Sequence, residues 1–198
     1  SIIYVDTGAM YRAVGAYAIR KGVATDDKEK VPALLPEISL ELSYSEEKGQ
    51  QIFLNGADVS TEIRLPEMGM AASNVSAMPE VRAFLLEQQR AMAKRQSVIM
   101  DGRDIGTVVL PKADVKIFLT ASAEVRAKRR TEELLAKGQM ANYEQILKEI
   151  QQRDYQDTHR EVAPLKMCRD SIKVDTSDLD IDGVIAAMKE IIAKKVGA

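Results

Sequence analysis

Ser97-Val98-Ile99-Met100-Asp101-Gly102-Arg103-Asp104-Ile105-Gly106-Thr107 is the stretch that decides the fold class. An apolar run with β-branched residues gives way at once to aspartate, glycine and arginine, the pattern of a parallel strand feeding a ligand-binding loop. Residues 2–6, 115–120 and 172–175 have the same form, and helix-like sequence separates the runs. The pattern predicts an α/β fold with a parallel sheet whose strands are buried on both faces and flanked by helices. Pro79–Arg95 reads as one such helix, with proline at its first position and Val81, Phe84, Leu85 and Met92 at helical spacing. Residues 123–136, 143–155 and 181–194 read as others, the last with Ile185, Met188, Ile191 and Ile192 on one stripe.

One stretch breaks this rhythm. Residues 38–43 alternate apolar and polar, 46–50 are turn-like, and 51–54 are apolar again before Asn55-Gly56. That is a hairpin followed by a second turn, so a small antiparallel sheet is expected as an insertion over about residues 30–63. Residues 194–198 are expected to fray.

Composition excludes several function classes. The 198 residues suffice for a real core, and a net charge of −2 gives no basic surface for nucleic acid. Cys168 is the sole cysteine and His159 the sole histidine, which rules out an internal disulfide and a Cys/His metal cluster and fits a reducing cytosol. No apolar run approaches the roughly 18 residues of a membrane helix, and the first residues do not read as a charged segment followed by an apolar signal core. A cytoplasmic monomer with no membrane partner is expected.

The polar residues gather where the runs end. Asp6-Thr7-Gly8-Ala9-Met10-Tyr11-Arg12 follows the first, and Asp101 to Thr107 the second. Arg126, Arg129 and Arg130 follow the third, and Arg153, Asp157 and Arg160 lie on a later helix. Singly, each has an ordinary reading. Arg153, Asp157 and Arg160 are four and three apart and would form a surface ion-pair ladder, Arg126 to Arg130 a solvated face, and Asp6-Thr7-Gly8 a helix cap. His159 reads as an exposed helical residue and Cys168 as a structural thiol. Together, clusters at strand ends converging on one cleft would give many guanidiniums and few competing acids. Guanidinium forks match phosphate oxygens bidentately and stay charged, so phosphate chemistry is the economical reading.

The blocks Asp6 to Arg12, Val59-Ser60 with Ile63-Arg64, Ala72-Ser73-Asn74-Val75-Ser76, Pro79-Glu80-Val81-Arg82, Asp101 to Val109, and Arg153-Asp154 through Arg160 to Ala163-Pro164-Leu165 resemble, in order and spacing, those of bacterial cytidylate kinases. The resemblance runs nearly the whole chain. It implies a P-loop kinase fold and phosphoryl transfer from ATP, with Mg2+, to CMP or dCMP. Thr7, Tyr11, Arg12 and Arg103, with Gly102 between them, would surround the CMP phosphate, and Ser73, Arg82 and Asp104 would read cytosine. Arg153 and Asp157 would hold the ribose and nearby phosphate, and Arg160 would close over the nucleotide. Arg130 would point toward ATP, with a mobile lid over residues 131–160, and Asp101 would hold magnesium through water. Residues 1–29 and 91–198 would form the core kinase domain, and 30–90 the monophosphate-binding region with the inserted sheet.

The chain departs from this family at its start. None of its eleven glycines lies in a G-x-x-x-x-G-K-[ST] loop. A strand, that loop and a helix, roughly 20 to 30 residues, are therefore expected ahead of Ser1. The strand would lie centrally, between those matched by 97–101 and 115–120, and residues 1–198 alone would aggregate and lack kinase activity. Gln156 stands where some members carry another arginine. The alternatives are a kinase for UMP or another monophosphate, or a non-catalytic nucleotide-binding protein that lost its phosphate loop.

Overall fold

The computed structural model describes residues 2–45 and 47–197, so Glu46 in the expected turn and Ala198 in the expected frayed end lie outside the described residues. The chain divides into two compact units, one reaching residue 105 and taking in 160–164, the other made of 106–159 and 165 onward.

In the first unit, β1 (Ile3–Asp6) pairs parallel with β5 (Val98–Asp101), in register from Ile3 opposite Val98 to Asp6 opposite Asp101. The chain leaves β1 into α1 (Thr7–Arg20), passes the short α2 (Lys30–Leu34) and enters the inserted antiparallel sheet. That sheet is β2 (Leu40–Ser45), β3 (Gly49–Leu54) and a third strand, β4 (Ala57–Asp58). Asn55 and Gly56 turn the chain between β3 and β4 with φ of 51° and 81°, the paired left-handed geometry that an Asn-Gly hairpin turn requires. Helices α3 (Met68–Ser76) and α4 (Pro79–Arg95) then lead back to β5.

The core of this unit is built around α1. Met10, Val14, Ile52, Leu54, Val75, Val81 and Leu85 are all about fully buried in one cluster, each contributing about 1.5–3 kcal/mol relative to exposure. Helix α1 crosses α3 so closely that a Cβ on Gly15 would lie 2.9 Å from the Ala71 Cβ, so glycine here is what permits the approach.

Burial on both faces of the parallel strands does not hold. Val5 is buried, but Tyr4 and Ile99 on the opposite face are 46% and 48% exposed, because this two-stranded sheet packs its apolar side chains on one side only. Leu119 is likewise exposed in the second unit.

There β6 (Ile117–Thr120) pairs parallel with β7 (Ile172–Asp175), accompanied by α5 (Ala123–Ala136), α6 (Tyr143–His159) and α7 (Ile181–Val196). Caps set the helix starts: the Ser122 hydroxyl accepts from the Val125 amide at 3.2 Å and the Asp180 carboxylate from the Gly183 amide at 2.8 Å. The expected fraying from 194 is not seen up to Val196. Gly197, at φ 71°, closes α7 instead, with its amide on the Ala193 carbonyl. A Cβ on Gly106 would sit 2.7 Å from the Cys168 sulfur, so glycine is what lets the thiol lie so close to this turn.

Candidate functional site

The strand-to-helix turn after β1 is organised by Asp6. Its carboxylate caps α1 by accepting from the Ala9 amide at 3.1 Å, and it also pairs with Arg12. The pair lies over Gly8, whose missing side chain leaves room: a Cβ there would be 3.0 Å from the Asp6 carboxylate and 3.1 Å from the Arg12 guanidinium. The cap reading of Asp6-Thr7-Gly8 is therefore right, and the same carboxylate also holds the arginine. The buried Arg12 Nε has no hydrogen-bond partner among the described residues.

Gln50, from the inserted sheet, braces this turn. Its amide oxygen accepts from the Asp6 N–H at 2.9 Å, and its amide nitrogen donates to the Asp6 carbonyl at 3.4 Å. A cleft of about 340 Å³ opens alongside, where Arg12 lies among Tyr4, Tyr44, Lys48, Gln50 and Arg64.

Thr7 and the Asp101–Asp104 loop touch directly. The buried Thr7 hydroxyl donates to the Asp101 carbonyl at 2.7 Å. A Cβ on Gly102 would collide with that hydroxyl and lie 2.8 Å from Ile105 Cδ1, so glycine is what lets the two segments meet. The Asp101 carboxylate accepts from the Tyr4 phenol at 3.3 Å. Burial first, then the charges of Asp101 and Asp6, push the Tyr4 phenol up to about 12.

A buried polar group of the unit joins Asp104, Arg82 and Tyr11. Arg82 and Asp104 form an ion pair with both side chains more than nine-tenths buried, and the Arg82 guanidinium lies 5.5 Å from the centre of the Tyr11 ring. Burial raises the Tyr11 phenol above its ordinary value; Asp104 adds to that shift, while Arg82 and Arg160 oppose it. Ser73 is buried on α3, and Ser76, three residues on, donates its hydroxyl to the Ser73 carbonyl at 3.0 Å.

Arg160 belongs to this group and not to a helix face. Helix α6 ends at His159, so the ladder of Arg153, Asp157 and Arg160 on one helix is corrected: the helical repeat stops before the third member. Arg160 Nη1 donates to the Ser76 hydroxyl at 2.9 Å, while its Nε and Nη2 donate to the Ala163 carbonyl at 2.8 and 2.6 Å. Ala163 adopts φ 48°, turning that carbonyl back toward the guanidinium.

In the second unit, Asp157 is 2% exposed on α6, with Arg153 Nε 4.0 Å from its carboxylate. Arg130 pairs with Glu133 on its own helix at 2.8 Å. Arg126 bridges α5 to α6 through Asp154, and Arg129 donates to carbonyls of Thr176 and Leu179. Arg126 and Arg129 thus bond to residues outside their own helix, and the reading of a merely solvated face does not hold for them. His159 is exposed and stacks on Tyr155 with centroids 4.0 Å apart, as an ordinary helical residue.

The structure thus gathers Tyr11, Ser73, Arg82, Asp104 and Arg160 into one neighbourhood of the first unit, and Thr7, Arg12, Asp101 and Gly102 at the ends of its two parallel strands. Arg103 lies in the same loop, exposed. Arg130, Arg153 and Asp157 belong to the second unit. Sequence reasoning missed Ser76, Gln50 and Tyr4. The signal for Ser76 was its place three residues after Ser73 at a helix end, where the hydroxyl turns back onto the chain.

No described helix is long and apolar enough to cross a membrane. The family model described as cytidylate kinase matches residues 1–194. The cytidylate kinase of Carboxydothermus hydrogenoformans is 47% identical over 195 residues, covering 98% of this chain and 87% of that protein. That of Geobacillus sp. (strain WCH70) is 48% identical over 197 residues, covering 100% and 88%, and that of Leuconostoc mesenteroides 46% over 194 residues, covering 98% and 86%. With the family model spanning nearly the whole chain and such relatives matching it over almost its full length, the chain belongs to the cytidylate kinase family.

Proposed function

We propose that the protein transfers a phosphoryl group from ATP to CMP or dCMP, giving ADP and CDP or dCDP. The observation that carries this reading is the buried Arg82–Asp104 pair against the Tyr11 ring, with the buried Ser73 linked to Arg82 through Ser76. Cytosine presents an exocyclic amine donor beside ring acceptors, and a carboxylate, a guanidinium and a hydroxyl are its complement; uracil inverts part of that pattern. Buried polar groups left unpaired by the wrong base discriminate strongly.

In this reading Thr7, Tyr11, Arg12, Gly102 and Arg103 form the acceptor-phosphate side, which suits the partnerless Arg12 Nε. Arg153, Asp157 and Arg160 hold the ribose and close over the nucleotide, and Arg130 serves ATP from a lid over residues 131–160. Residues 30–90 act as the monophosphate-binding region, with 1–29 and 91–198 as core.

Among the described residues no three potential ligand side chains cluster around a metal site. Mg2+ keeps most of its waters and takes one or two carboxylates with substrate phosphates, so the single exposed carboxylate of Asp101, held by Tyr4, fits it. When bound, the ion neutralises phosphate charge. The cytosol is the simplest setting, supported by the one free cysteine, and a monomer is the simplest state.

Asp104→Asn, which keeps the size of the side chain while removing its charge, tests the reading. CMP affinity should fall by about 1–3 kcal/mol with little change for UMP, as measured by titration calorimetry on both. Equal losses would show that Asp104 does not read the base.

A further inference from the structure

Ser76 joins two arginines that come from distant parts of the chain. It ends α3, where carbonyls have no helical partner, and its own carbonyl accepts from Arg82 Nη1 at 3.0 Å. Its hydroxyl proton goes to the Ser73 carbonyl, which leaves the oxygen lone pairs to accept from Arg160 Nη1. The residue is 6% exposed. Arg160 is thereby gripped on two edges, by Ser76 on one side and by the Ala163 carbonyl on the other.

We infer that Ser76 is a positioning residue for the acceptor nucleotide: its hydroxyl sets the plane of the Arg160 guanidinium while its carbonyl holds Arg82, coupling the arginine that closes over the nucleotide to the one beside the base. The inference rests on the proposed CMP reading for the roles of the arginines. The link from Ser76 to Arg160 stands on geometry alone. A rotamer-rich guanidinium fixed before the ligand arrives loses less entropy on binding, so the hydroxyl favours acceptor affinity without touching the reacting atoms.

Ser76→Ala removes the hydroxyl and leaves the carbonyl to Arg82 intact. KM for CMP should rise about fivefold, as expected for one lost hydrogen bond of ordinary net strength, with kcat, KM for ATP and Tm nearly unchanged. In an Arg160→Ala background the same substitution should change KM for CMP no further. In the ligand-free protein, amide hydrogen exchange over 160–164 should quicken in Ser76→Ala. An unchanged KM for CMP overturns the inference, and so does a lowered Tm without a KM change, which would make the hydroxyl purely structural. Faster exchange at 160–164 in a protein that does not bind CMP in titration calorimetry would instead sink the substrate assignment and leave the Ser76–Arg160 link standing.

Discussion

Helix α1 buries nine of its fourteen residues, while α7, sixteen residues long and with an apolar stripe in its sequence, buries none. The contrast extends to the units that hold them. The large core cluster lies within residues 9–85, whereas the second unit fully buries only a few apolar side chains, such as Val109, Ala127 and Leu134. Its helices α5 and α6 are tied partly by a half-exposed ion pair, Arg126 to Asp154. The base-reading candidates therefore stand on a packed core that fixes their geometry, and Arg130 and Arg153 on helices with fewer apolar contacts. Segments with little buried apolar area open at low free energy, which is what a moving element needs.

The comparison breaks first at Asp104. Asp104→Ala would leave Arg82 charged and buried without its partner, and should cost about 3–5 kcal/mol in a denaturant melt; a cost below about 1 kcal/mol would show that this region is not rigidly packed. Next comes a matched pair of truncations. Leu85→Ala should destabilise by about 2–5 kcal/mol, whereas Ile185→Ala, at 44% exposure, should cost under about 1 kcal/mol; equal losses would erase the distinction between the units. Arg126→Ala should cost only about 0.2–1 kcal/mol and less at high salt, because each partner of the pair keeps 36% of its side-chain surface in water.

The smallest effect is alkaline. With the folded Tyr4 phenol raised to about 12 from an ordinary 10.0, the fold favours its neutral form. That contribution is fully present below the ordinary value and is lost as pH rises through the raised one. Tyr4→Phe should flatten the loss of stability in that window, and should remove a late step from the phenolate absorbance titration. An unchanged alkaline profile would place Tyr4 in open solvent.

The α/β class, the parallel strands, the inserted hairpin and four of the helices were legible because each carries a period or a punctuating residue. Pro79 opens α4, and Asn55-Gly56 turns β3 into β4. Helix α1 was harder to see, since burial on most sides and its run of alanines and glycines erase the one-sided stripe that marks a surface helix. The strand faces were misjudged because β-branched composition reports propensity and not what covers each face. At the site, the candidate residues were visible from motif order, but their partners were not. Spacing puts Arg160 on a helix face; only the fold shows the chain leaving the helix at His159 and the guanidinium turning to Ser76, 84 residues away in sequence.

Ala163 has an implication for how this chain tolerates change. At φ 48° it occupies a backbone region that most L-residues enter only at a cost of about 1–2 kcal/mol, and it is the carbonyl of this residue that holds Arg160. A saturation library at position 163 should therefore sort by backbone preference more than by polarity or size. Glycine, asparagine and aspartate would be admitted, while valine, isoleucine and threonine would be purged by the strain that a branched Cβ adds at positive φ. The constraint at 163 is thus written in torsion angles, and an alanine can be irreplaceable by its nearest aliphatic neighbours.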